Sequence, residues 1–113
     1  MQINEYQEKV KRTMNFWGTP AEIVCNMCLG ITGEAGEVVD YIKKIVFHGH
    51  KYEQDKLIEE LGDLMWYVSA LANFYKIDMN EVLNKNIEKL LKRYPNGFTK
   101  SDSIKRVDIK EEI

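Results

Sequence analysis

Cysteine is scarce in this chain, two among 113 residues, and so is proline, also two. Cys25 and Cys28 form a CxxC pair, but a single pair is no disulfide framework, and with no second pair and no histidine nearby it does not complete a zinc site. At helical spacing beside Val24 and Met27 the two read as small buried apolar residues, and the chain as a reduced, cytoplasmic protein. Seven glycines and two prolines are too few for a linker-like or fibrous chain. No stretch approaches the roughly 18 apolar residues of a membrane span. The opening MQINEYQEKVKR has no apolar signal core, so a soluble, non-exported protein without a membrane partner is expected. Neither sign of charge dominates, since 16 basic and 18 acidic side chains leave a net charge of -2. That excludes the broad basic field that binds nucleic acid without further contacts. Any polyanion must be met locally, by a metal ion or a few cations.

What is present is ordinary globular material, 44% hydrophobic and 30% charged, in a length that suits one domain with one core. Apolar residues recur at helical rather than alternating spacing, which predicts an all-α protein, a four-helix bundle-like subunit. The first helix is expected over about residues 4–15, with Tyr6, Val10 and Met14 on one face. "TPAE" at 19–22 is a capping box that starts a second helix running to about Phe47. Gly49 suits its end, and a third helix follows over about Gln54 to Tyr75. Asp78 and Glu81 form another capping box opening the fourth helix, halted by Tyr94, Pro95, Asn96 and Gly97. Residues 1–97 are thus the expected domain, and 98–113 an extended or mobile C-terminal segment. In the third helix Leu64, Met65, Trp66, Tyr67 and Val68 surround the axis with apolar groups. Four helices in one subunit do not cover them all, so a homodimer or homotetramer is expected.

The second helix carries an apolar stripe of Ile23, Met27, Ile31, Val38, Ile42 and Ile45, and Glu34 falls inside it. Glu37 lies three residues on. The third helix repeats the device: Glu60 and Asp63 head a row continuing through Tyr67, Ala70 and Phe74. Glycine stands before the second acid in both, as "EAGE" and "ELGD". Glycine costs a helix about 1 kcal/mol relative to alanine, so Gly36 and Gly62 imply close backbone approach. Carboxylates in apolar rows need protonation, basic partners or cations, and few basic residues lie level with these four. Oxygen-only ligation favours a hard ion, Mg²⁺ or Mn²⁺. Two readings remain at this level: a metal-dependent phosphate chemistry, or a salt-bridged structural cluster.

"NEYQ", "GITGEAGEVVDYIKK", "HGH", "EELGDLMWYVSALA", "NIEKLLKRYPNGF" and "SIKR", in that order over residues 4 to about 106, resemble the MazG-like members of the all-α nucleoside triphosphate pyrophosphohydrolases. Glu34xxGlu37 and Glu60xxAsp63, separated by 22 residues, resemble the ExxE and ExxD metal motif of that superfamily. The resemblance implies Mg²⁺-dependent hydrolysis of a nucleoside triphosphate between the α and β phosphates, with Mn²⁺ as a substitute ion. It implies Glu34, Glu37, Glu60 and Asp63 as metal ligands, with a carboxylate such as Glu37 or Glu60 orienting the attacking water. It further points to Asn86, Lys89 and Arg93 for the triphosphate and, less strongly, to Lys44.

Asn86, Lys89 and Arg93 share one helical face, which a solvated basic face would also do. Lys43 and Lys44 equally suit the C-terminal end of a helix dipole. His48 and His50 are loop residues that contribute at most to the mouth of the site. Tyr67 and Trp17 are the candidates for stacking on a base, with core packing the alternative for Tyr67, Trp66 and Phe74. Nucleotide-pool housecleaning is the expected role. The alternatives are a narrow-specificity relative, of deoxycytidine or phosphoribosyl-ATP type, and a non-catalytic helical interaction module.

Overall fold

The structure, a computed structural model, describes residues 1–110. It is all-helical, with no strand among the described residues. The helices are α1 (Ile3–Val10), α2 (Pro20–Phe47), α3 (Gln54–Phe74), α4 (Met79–Arg93), α5 (Lys100–Lys105) and α6 (Val107–Lys110). They fall into two compact units, one ending at Ile77 and one beginning at Asp78. No helix among the described residues is long and apolar enough to cross a membrane.

In the first unit, Thr19 caps α2 by accepting from the Glu22 N–H at 3.2 Å, while the Glu22 carboxylate accepts from the Thr19 N–H at 3.0 Å. The far end of α2 closes at Gly49, whose φ of +72° lets the His48 and His50 N–H groups both reach the Lys44 carbonyl. α1 is shorter than its apolar spacing predicts. Beyond Val10 the N–H groups of Lys11, Arg12 and Thr13 bond three residues back, a tightened turn that ends the helix. Met14 still reaches the core, which comprises Val10, Ile23, Met27 and Ala70 with Tyr6, Met14, Trp66, Leu71 and Phe74 packed against it. Side chains then tie α1 to α3. Asn73 donates to the Gln7 carbonyl at 3.0 Å, Gln7 donates to the Ile77 carbonyl, and the Trp66 indole donates to Thr13 Oγ1 at 2.8 Å.

α2 and α3 pack antiparallel, since Gly30 meets Tyr67 at one end and Tyr41 meets Glu53 at the other. Close approach falls at Gly30: a Cβ there would sit 2.1 Å from the Tyr67 ring. Gly36 and Gly62 were the expected contacts, and this is corrected, because a Cβ on either meets nothing within 4 Å among the described residues. Each lies two residues from an acid that faces the partner helix, hence about 200° around the axis from it. The α2 stripe is corrected at two places as well. Tyr41 is buried where Ile42 was expected, and Cys25 and Cys28 are free but exposed rather than buried. Val39, Ile42 and Val46 on α2, and Ile58, Leu61 and Met65 on α3, leave apolar rows exposed on the single chain.

In the second unit Asp78 caps α4 through the Asn80 N–H at 2.8 Å, two residues on rather than three. The segment expected to be extended after residue 97 is instead helical over α5 and α6; its residues 111–113 lie outside the described residues. Two local features explain the helices. Thr99 caps α5 by accepting from the Asp102 N–H at 3.0 Å, and Asp108 on α6 accepts a two-pronged bond from Arg93 on α4, at 2.8 and 2.9 Å. Arg106 adds longer contacts at 3.4 and 3.5 Å. Hydrogen bonds from Arg93 hold the Asp108 carboxyl well below the usual carboxylate range.

Gly30→Ala should lower stability by about 1–2 kcal/mol, overpacking against Tyr67 outweighing the gain in helix propensity. Gly33→Ala, where a Cβ meets nothing within 4 Å, should raise it by up to about 1 kcal/mol; urea denaturation measures both. A carboxyl depressed in the folded state stabilises above its unfolded pKa and loses that contribution as pH falls through its folded value. Circular dichroism should therefore show Asp108→Asn less stable than wild type at neutral pH, the difference shrinking as pH drops below about 4.

Candidate metal centre and adjoining cleft

Glu34 stands on α2 and Glu60 and Asp63 stand on α3, one turn apart. Antiparallel pairing brings one oxygen from each within 4.8 Å of the other two. Two contacts set the register. The Tyr67 ring lies on Gly30, one turn before Glu34. At the other end the Tyr41 hydroxyl accepts from the Glu53 N–H at 2.7 Å and donates to the Glu53 carbonyl at 3.2 Å, clasping the start of α3.

The three carboxylates repel. Desolvation first, then the charges of Asp63, Glu60 and Glu37, push the Glu34 carboxyl above its usual pKa. Lys56, a residue that spacing alone did not single out, answers them: one turn before Glu60, it reaches the Glu60 carboxylate at 3.5 Å. Lys56 also sits 5.9 Å above the Tyr41 ring centroid. The Glu60 side chain is only 12% exposed, against 49% for Lys56, so the acid is fixed while the ammonium can swing into solvent. A second missed residue is Tyr6 of α1. Burial, and the nearby Asp63 charge, hold its hydroxyl above the usual tyrosine value. Its place on the buried face of the first helix was the available signal. Three converging oxygen donors with one exposed ammonium partner fit a hard divalent cation and offer no soft ligand.

Beside the acids a cleft of about 390 Å³ opens between α2, the turn after it and the start of α3. Glu37, Asp40, Glu53 and Glu60 line it, facing Lys44, Lys51, Lys56 and His50. Asp40 pairs with Lys44 at 2.9 Å and with Lys43 at 3.3 Å, and these bonds hold its carboxyl low and raise the Lys44 ammonium.

Of the sequence-predicted residues, Glu34, Glu60 and Asp63 are brought together. Glu37 lies outside that close group, exposed, on the wall of the cleft it shares with Glu60. Tyr67 is half-buried on Gly30 and meets Trp66 edge to face at 5.0 Å. Trp17 stands 85% exposed in the connector before α2. Asn86, Lys89 and Arg93 belong to the second unit. There Asn86 is exposed, Lys89 lines a cleft with Lys85, Lys92 and Arg106, and Arg93 is engaged by Asp108.

Comparison with known proteins adds a relationship to this geometry. Residues 25–98 match the family model of the MazG nucleotide pyrophosphohydrolase domain. "Gene 37 protein" of Mycobacterium phage L5 is 38% identical over 73 residues, which are 61% of this chain and 64% of that protein. "Uncharacterized protein YvdC" of Bacillus subtilis (strain 168) is 33% identical over 45 residues, 40% of this chain and 42% of its own length. The chain thus spans less than two thirds of either relative. No solved structure matches. The family match takes in the α2–α3 pair with all four acids and continues through α4, over more than half of the chain, and the chain belongs to the MazG nucleotide pyrophosphohydrolase domain family.

Proposed function

We propose that the protein hydrolyses nucleoside triphosphates to the monophosphate and pyrophosphate with Mg²⁺ as cofactor and Mn²⁺ as a substitute, in nucleotide-pool housecleaning. The convergence of Glu34, Glu60 and Asp63 within 4.8 Å carries this reading, because so dense a set of oxygen donors calls for a cation. Those three residues hold the ion in this proposal. Mg²⁺, when bound, offsets phosphate charge and acidifies water. Glu37, outside the triad yet on the same cleft wall, is the carboxylate assigned to orient the attacking water and take its proton. Its exposure and its place outside the close group of three support that division of labour. Attack at the α phosphorus follows the family's chemistry. Trp17, exposed beside the start of α2, and Tyr67 are assigned to the base; Asn86, Lys89, Arg93 and Lys44 remain assigned to the phosphates.

We place the active form as a cytoplasmic homodimer or homotetramer of bundle-like subunits. The exposed apolar rows of α2 and α3 support assembly, since rows of this kind are costly to leave in water.

With a panel of ribo- and deoxyribonucleoside triphosphates and Mg²⁺, the product should be pyrophosphate and not inorganic phosphate. Glu60→Gln and Asp63→Asn should each reduce kcat/KM by about 100-fold or more. Absence of pyrophosphate release from every substrate would overturn the assignment. Independently of turnover, Glu34→Gln removes one of three repelling charges. Its metal-free melting temperature should rise by about 2–5 °C while the further rise produced by Mg²⁺ in wild type is lost.

A further inference from the structure

We infer that the cleft beside the carboxylate triad is a diphosphate subsite, in which Lys51, Lys56 and His50 receive the two phosphate groups that leave as pyrophosphate. The inference rests on the proposed metal-dependent function and adds to it a place and a set of donors on the α2–α3 unit.

Charge decides how such a subsite works. The cleft is lined by four carboxylates and three ammonium groups, so without a metal ion it is net negative and repels a polyanion. A divalent cation held by the triad offsets two of the negative charges and adds a positive centre at the cleft's edge for phosphate oxygens to meet. Diphosphate binding is therefore conditional on the ion, and the cleft discriminates against the free polyanion.

The donors differ in how they are held. Lys44 borders the cleft paired with Asp40 at 2.9 Å, so its charge is already partly offset whatever phosphate contact it makes. Lys51 and His50 sit on the exposed turn between α2 and α3, where Gly49 bends the chain back over the Lys44 carbonyl. That bend is what presents them to the cleft. Lys56 is shared: it pairs with the Glu60 carboxylate at 3.5 Å, on an arm that is half exposed. When a cation takes over the Glu60 charge, the Lys56 ammonium is repelled from it and released toward the cleft, where a phosphate oxygen replaces the carboxylate. Lys56 is thus counter-ion to the acids in the metal-free protein and phosphate donor afterwards. A 390 Å³ cleft has room for two phosphate groups.

A lysine with this double duty has a signature that a structural lysine lacks. In Lys56→Ala, Mn²⁺ alone should bind about 2- to 5-fold more tightly, because a competing cation is gone. The same variant should bind imidodiphosphate, a non-hydrolysable diphosphate, about tenfold more weakly in saturating Mg²⁺. Lys51→Gln, on an exposed turn, should weaken imidodiphosphate without changing Mn²⁺ affinity, and Lys9→Ala on α1 should change neither. Wild type should bind imidodiphosphate in Mg²⁺ and not in EDTA. Mn²⁺ is followed by electron paramagnetic resonance and imidodiphosphate by calorimetry. If Mn²⁺ binds but imidodiphosphate does not, or if Lys51→Gln and Lys56→Ala both bind it as wild type does, the subsite is overturned and the metal reading stands. If Lys56→Ala weakens both ligands, the double role of Lys56 is overturned. If wild type binds no Mn²⁺, the metal reading falls and the subsite with it.

Discussion

Three carboxylates held within 4.8 Å of one another repel, and packing between α2 and α3 has to overcome that repulsion. The features that lock these helices lie at the two ends of the acidic stretch. At one end Gly30 has no side chain, so the Tyr67 ring can lie on the backbone of α2. At the other the Tyr41 hydroxyl bonds both the N–H and the carbonyl of Glu53. A slip of one residue moves a helix by 1.5 Å and turns its side chains by 100°, enough to take Glu34 away from Glu60 and Asp63. Register is therefore what makes a cluster out of three separate acids.

α1 contributes by backing this pair. The bonds from Asn73 to the Gln7 carbonyl, from Gln7 to the Ile77 carbonyl just after α3 and from Trp66 to Thr13 just after α1 join the apolar contacts of Val10 and Met14, and Tyr6 comes near Asp63. The second unit has a lock of its own. Asp108 is buried against the Arg93 guanidinium, which fastens the last helix to α4. A two-pronged bond of this kind uses most of the guanidinium's directional capacity. Arg93 therefore has a structural task beside the phosphate contact assigned to it.

The acids, their helices and the ordered family segments were all legible, because helical period alone assigns each side chain an angle around its own axis. Thr19 and Glu22 announced the start of α2 by the same local logic. Inferences that crossed from one helix to another fared differently. Gly36 and Gly62 were read as contacts from their symmetrical places before the second acids, yet a Cβ on either meets nothing within 4 Å among the described residues. Gly30, which opens the segment "GITGEAGEVVDYIKK" but precedes no acid, makes the contact. Lys56 was missed since an i, i+4 pair with an acid is common on exposed helices and carries no sign that the acid is largely shielded from solvent. The helices after residue 97 were missed because α6 is four residues long and its anchor, Asp108, acts through a partner 15 positions earlier.

By itself the sequence determined that the protein is helical, that each of two helices carries acids in an apolar row, and that the ordered segments resemble the MazG-like family. Those properties follow from local spacing and from residue identity. Only the tertiary structure decided that Glu34, Glu60 and Asp63 converge while Glu37 stands apart on the cleft wall, that Gly30 is the close approach, and that Arg93 is held by Asp108. The reason is geometric. A helix fixes the angle of every side chain about its own axis, but distances between helices depend on register and separation, which side-chain packing sets.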